Sequence, residues 1–268
     1  MYEEQRELRL KRDVKRLVEE MQREEQNNSI SPYTKREDEI GHMARILADE
    51  LVEAIRRKEL FLVYQPQVNR DGRCIGAEAL IRWEHPEFGF IYPPLIIQLA
   101  KEKKVLSTLE KFIFDTAGAA LAQVRDIVSD DFKMSVNLTN ESLEWDGIEA
   151  CIENVVQKYQ FPNVQLGLEI TEQDALSSSI DITKKIEALK AKGHRFLIDD
   201  FGMGHTSLVY LQTKYFNIVK LDGSLTRDVI HNETNRDIIA SIVYLGRSLK
   251  FKIIAEYVEN EAQRDELK

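Results

Sequence analysis

From Ile40 onward, short apolar runs alternate with longer stretches whose apolar residues recur every third or fourth position, and no segment repeats another. That alternation predicts an α/β fold. The strand-like runs are Leu60 to Val68, Arg73 to Ile81, Lys133 to Leu138, Gln165 to Thr171, Arg195 to Asp199, Asn217 to Leu221 and Lys252 to Ala255. Between them, Thr108 to Asp126, Leu143 to Tyr159, Ile180 to Lys192 and Asn235 to Lys250 carry helical periodicity, at lengths that suit crossovers between parallel strands. A doubly wound sheet and a barrel both satisfy this pattern.

Upstream the pattern changes. Leu10, Val14, Leu17 and Met21 are spaced by 4, 3 and 4 in a segment dense in both charges, which makes a short heptad seam. Residues 1–25 are expected to form a charged helix, either single and solvated or part of a coiled coil. Residues 26–38 (QNNSISPYTKRED) are polar, with Ser and Pro, and read as a linker; residues 39–268 form the main domain. A helix and linker ahead of a compact domain suit a signalling output module governed by an upstream sensor or membrane part.

The informative residues are polar ones inside or at the carboxyl ends of apolar runs: Glu78, Asn137, Glu169, Asp199 with Asp200, Lys220 and Glu256. A buried charge without a partner is costly, so its recurrence in six successive strand candidates calls for a common cause. In a barrel the strand ends converge on one mouth, where such residues can meet around a metal. The set is rich in carboxylates and holds no His or Cys, which suits Mg²⁺ or Mn²⁺ rather than zinc. Adjacent Asp199 and Asp200 can both face one site only where the strand ends. For any single residue, capping of the following helix explains the position equally well.

Composition narrows the setting. With 37 Lys and Arg against 46 Asp and Glu, the net charge is −9, and 43% of residues are hydrophobic. Surplus acid argues against binding a nucleic-acid polymer, so an anionic ligand needs a local cationic site. No apolar run approaches the roughly 20 residues that span a bilayer, and a cytoplasmic location is expected. Cys74 and Cys151 show no metal-type spacing and are read as ordinary thiols. Trp83 is read as packing, and His85, His194 and His205 as surface or packing residues. Gly202 and Gly204 in FGMG are read as a mobile turn.

The stretches YQPQV, GAEALIRWEHPEFGFIYP, SVNLT, LEITE, DDFGMGHTSLVYL, VKLDGS and AEYVE, in this order, resemble the EAL-domain family of cyclic di-GMP phosphodiesterases. The resemblance covers Glu53 to Lys268 and implies a (β/α)8 TIM-type barrel with an antiparallel first strand. It implies hydrolysis of cyclic di-GMP to linear pGpG with two divalent ions, Mg²⁺ or Mn²⁺, in a homodimer. It further implies that Glu78, Asn137, Glu169, Asp199, Asp200 and Glu256 are metal ligands, and that Lys220 orients or activates the attacking water with Glu259 in support. Gln65 corresponds to a guanine contact, Arg82 to a phosphate contact, and Glu172 to the residue that steadies the loop after DDFG. The alternative within the same resemblance is an inactive domain that binds cyclic di-GMP as a receptor.

Several positions depart from the family's usual sequence: Met203 where Thr is common, Tyr257 where Gly is common, Lys214 and Tyr215 in place of Leu-Pro, and Asn217 in place of Asp. None removes an implied ligand; they bear on loop and dimer geometry. The chain ends at ENEAQRDELK, read as lying in the helix after the seventh strand candidate, ahead of the eighth strand, final helix and Gln that the resemblance implies.

Overall fold

The computed structural model describes residues 35–177, 179–202 and 215–268; the expected helix over 1–25 lies outside them. The first helix, α1 (Lys35–Arg56), begins within the segment read as a linker. Its Ala44, Leu47, Ala48, Leu51 and Ala54 recur at helical spacing and are buried, so packing holds the helix from Ala44 onward.

The sheet runs in the order β1 (Leu60–Val68), β2 (Cys74–His85), β4 (Lys133–Leu138), β5 (Leu166–Thr171), β6 (Arg195–Phe201), β7 (Ile218–Leu221) and β8 (Lys252–Ala255), with β3 (Gly89–Ile91) paired to β2. This order follows the chain without the reversal that defines a doubly wound sheet. The turn between β1 and β2, closed by Asn69 and Arg73, leaves these neighbours no room for a parallel crossover, so β1 is antiparallel, as expected.

Contacts divide the chain into two compact units, one of residues up to Val63 with Ile81–Ile113, the other of Tyr64–Leu80 with Phe114–Lys268. In the first, Trp83 is fully buried and its Nε1 donates to Glu59, while buried His85 meets Glu50 at 3.2 Å. Both are packing residues here. β3 pairs antiparallel to the end of β2, and α2 (Pro93–Glu102) buries Leu95, Ile96, Leu99 and Ala100. The three-residue β3 is too short to show alternation in sequence.

In the second unit, Gly76–Ala79 of β2 and strands β4 to β8 form an all-parallel ladder, each strand paired to the next. Leu168, Ile170, Phe196, Ile198 and Val219 are completely buried, as a parallel sheet requires. The crossovers include α3 (Leu106–Val124), α4 (Asn140–Glu144), α5 (Ile148–Tyr159), α6 (Glu172–Ser177), α7 (Ile180–Ala191), α8 (Gly223–Thr226) and α9 (Glu233–Leu249), and α10 (Glu261–Glu266) follows β8.

The single helix expected over Leu143 to Tyr159 is in fact two. Thr139 and Ser142 form a capping box that starts α4, and Trp145 then leaves the helix at φ −62, ψ 122. Its indole covers Gly147, where a Cβ would lie 2.4 Å from the ring, so α5 starts afresh from Gly147. Cys74 is exposed and Cys151 buried, and neither is in a disulfide.

Candidate active site

One lysine sits at the centre of the second unit's polar residues. Lys220, the third residue of β7 and 1% exposed, places its ammonium 2.7 Å from Glu78, 2.8 Å from Glu169, 2.9 Å from Asp199 and 2.9 Å from Glu256. These carboxylates come from β2, β5, β6 and the residue after β8, spanning nearly 180 positions of sequence. Asn137 on β4 donates to Glu78 Oε1 at 2.8 Å and pairs in register with Glu169. The parallel ladder explains the convergence: Glu78 pairs with Ser135, two residues before Asn137, and Glu169 with Leu197, two before Asp199, and residues two apart on a strand share a face.

Asp199 and Asp200 correct one expectation. Both lie inside β6, which runs on to Phe201, rather than at its end. The register with β7 shifts between Ile198 and Phe201, and Asp200 stands at φ 55, in the left-handed region. A bulge of this kind breaks the alternation of sides. It lets carboxylate oxygens of Asp199, Asp200 and Glu256 gather within 4.8 Å of one another, beside a second such group of Glu78, Glu169 and Asp199.

The electrostatics follow from burial. Desolvation pushes the Glu169 carboxyl up to about 8, against the pull of Lys220 and with the help of Glu78 and Asp199. Desolvation and the neighbouring Asp199 and Asp222 raise Asp200 to about 6. Glu256 is also raised, first by burial. Burial alone would lower Lys220, but Glu169, Asp199, Glu78 and Glu256 outweigh it and hold the amine above its ordinary value. Lys220 is therefore a cation amid more negative charge than it can balance.

Glu169 Oε1 is buried and has no hydrogen-bond partner. A carboxylate oxygen left in that state, in a set of purely oxygen donors, fits a hard divalent cation. Glu78, Glu169, Asp199, Asp200 and Glu256 could supply the ligands, with Asn137 beside them.

The remaining sequence-predicted residues are distributed as follows. Glu172, 5% exposed, accepts from the Gly202 N–H at 3.1 Å, where the chain leaves β6. Gln65 is exposed on β1. Arg82 is half-buried, donates to Ile81 O, and makes no ion pair among the described residues. Glu259 is not brought into the cluster: it is exposed, and its backbone N–H donates to Gln263. Sequence reasoning missed Thr226 and Gln263, buried polar residues that tie the segment after β8 to α8 and its flank. The Asn260-x-x-Gln263 capping box was the available signal for the second.

Comparison with known proteins agrees with this fold. The EAL domain family model matches residues 48–268. The chain is 34% identical over 220 residues to the bifunctional diguanylate cyclase/cyclic di-GMP phosphodiesterase MucR of Pseudomonas aeruginosa, covering 82% of this chain and 32% of that protein. It is also 34% identical over 221 residues to an uncharacterized protein of Mycobacterium tuberculosis, covering 80% of this chain and 72% of that one. It thus spans about a third of MucR's length. The solved structure of the MucR phosphodiesterase in complex with c-di-GMP superposes with a TM-score of 0.74 at 34% identity, covering 82% of this chain and 90% of that one. The fold is the (β/α) barrel class of these structures, and the chain belongs to the EAL-domain family.

Proposed function

We propose that this domain hydrolyses cyclic di-GMP to linear pGpG in a reaction that depends on divalent metal ions. The observation that carries this reading is the convergence of Glu78, Glu169, Asp199 and Glu256 on Lys220, with Glu169 Oε1 buried and unpartnered. The names of MucR and of its solved complex supply the nucleotide. Glu78, Asn137, Glu169, Asp199, Asp200 and Glu256 would hold two ions, Mg²⁺ or Mn²⁺, which when bound lower the pKa of water and stabilise charge developing on the phosphate.

The chain's own groups do the rest. Lys220, held as an ammonium by its carboxylates, donates hydrogen bonds; it orients the attacking water and meets developing negative charge rather than removing a proton. Asn137 fixes one oxygen of Glu78 and thereby the direction of the other. Arg82, whose charge is not spent on an ion pair among the described residues, binds a phosphate, and Gln65 a guanine. Glu172 holds the Gly202 N–H at the end of β6.

Water adds to one phosphorus, the bond to the 3′-oxygen breaks, and the product carries a 5′-phosphate. Under this reading the domain works in the cytoplasm as a homodimer, with residues 1–38 linking it to an upstream control element. No helix among the described residues is long and apolar enough to cross a membrane. Reaction in ¹⁸O-labelled water tests the chemistry: pGpG carrying one label on its 5′-phosphate supports hydrolysis. Nucleotide that binds but is recovered intact would instead mark the domain as a receptor.

A further inference from the structure

Glu256 is the cluster residue with the least sheet around it. It follows β8, whose four residues end at Ala255, and its side chain is the most exposed of the four around Lys220, at 22%. Its N–H donates to Leu221 O at 3.1 Å and its carbonyl accepts from Thr226 Oγ1. Tyr257 comes next, at φ 53, where an L side chain crowds its own backbone and glycine alone sits freely.

The ring of this strained residue is 47% exposed, and what it covers is Gly223 and Arg227. It lies so close to Gly223 that a Cβ there would be 2.3 Å from Tyr257 Cδ2, and the Arg227 guanidinium stands 3.9 Å from its centroid. Gln263, 3% exposed, completes the tie. Its Nε2 donates to Arg227 O at 2.8 Å, and its Oε1 accepts from the N–H groups of Glu259 at 2.7 Å and Asn260 at 3.2 Å. The segment from Glu256 to Asn260 is thus anchored to the turn that continues directly from β7 and Lys220.

We propose that Tyr257 is a positioning residue for Glu256. Its ring, packed on Gly223 and against the Arg227 guanidinium, fixes the Glu256 carboxylate beside Lys220 and so pre-arranges the oxygens offered to a divalent cation. The last clause rests on the metal reading above; the clamp itself does not.

Two readouts separate them: Mn²⁺ titration by calorimetry, and amide exchange of the metal-free protein over residues 256–260. Tyr257→Gly relieves the left-handed backbone, so a merely structural role predicts a higher melting temperature with metal binding unchanged. The clamp predicts the reverse: Mn²⁺ affinity falls by about 10-fold and the 256–260 amides exchange faster. Tyr257→Phe keeps the ring and should match the parent chain in both. Gly223→Ala should reproduce the Tyr257→Gly effect alone and add little on top of it, because the added methyl is harmful only where the ring occupies its space. Unchanged affinity and exchange in Tyr257→Gly would overturn the clamp. If the parent chain binds no Mn²⁺ while Tyr257→Gly still exchanges faster, the metal reading falls and the clamp stands.

Discussion

Replacing Lys220 by Met keeps the reach of the side chain and removes its charge, which leaves Glu78, Glu169, Asp199 and Glu256 facing one another where the ammonium stood 2.7 to 2.9 Å from each. Removing one member of a buried ion network costs about 3–5 kcal/mol, most of it from charge left unpaired. Glu169, already pushed up to about 8 with Lys220 beside it, rises further and keeps its proton to higher pH. A folded-state pKa above the unfolded value means that the folded protein binds more protons, so the variant's stability should fall as pH rises from about 4.5 to above 8.

Urea unfolding in EDTA, followed by circular dichroism, should show a loss of about 3–5 kcal/mol near neutral pH. Mn²⁺ should restore part of it: a ligand specific to the folded state adds about 2.7 kcal/mol at a hundred times its Kd. The gain should be larger in Lys220→Met than in the parent chain, because the ion replaces the missing positive charge. A loss below about 1 kcal/mol, with equal Mn²⁺ response in both proteins, would refute the reasoning, since that is all an exposed pair contributes.

Three further outcomes test other parts of the structure. Arg82→Ala should weaken cyclic di-GMP binding by about 10-fold or more in calorimetry, the loss of one charge-assisted contact; an unchanged titration curve removes it from the site. Gly76→Ala should destabilise by about 1–3 kcal/mol, because the new Cβ would stand 2.8 Å from the Lys133 carbonyl in the β2–β4 ladder; a neutral substitution contradicts that register. Buried His194 is held below its ordinary 6.5 chiefly by desolvation, which outweighs the opposing pull of the Leu166 backbone and Glu153. The unfolded chain therefore takes up a proton first, and stability drops as pH falls below 6.5 by up to about 1.4 kcal/mol per unit. His194→Phe should flatten that slope, and an identical slope would place the titration elsewhere.

The site was legible in the sequence wherever a charge interrupted an apolar run. Glu169 between Leu168 and Ile170, and Lys220 between Val219 and Leu221, sit among completely or nearly completely buried residues, and burial makes such charges conspicuous. The features that escaped depend on backbone conformation rather than on pattern. Asp199 and Asp200 share a site through a bulge with one left-handed residue, which alternation alone cannot express. The break at Trp145 comes from an indole lying over a glycine two residues on, within a stretch of unbroken helical periodicity. Tyr257 reads as a departure from a family glycine, yet its meaning lies in Gly223 and Arg227, more than 25 residues earlier. Glu259 shows the converse: a family position assigned to the site, whose exposed side chain the fold leaves apart from the cluster.

The central claim is that the converging carboxylates and Lys220 make a metal-dependent phosphodiesterase. Its most direct test is chromatography of cyclic di-GMP incubated with the chain and Mn²⁺ or Mg²⁺, alongside EDTA and Glu78→Ala controls. The predicted result is pGpG formed by the parent chain with metal and by neither control. Intact nucleotide in every sample, or equal pGpG from Glu78→Ala, would contradict it.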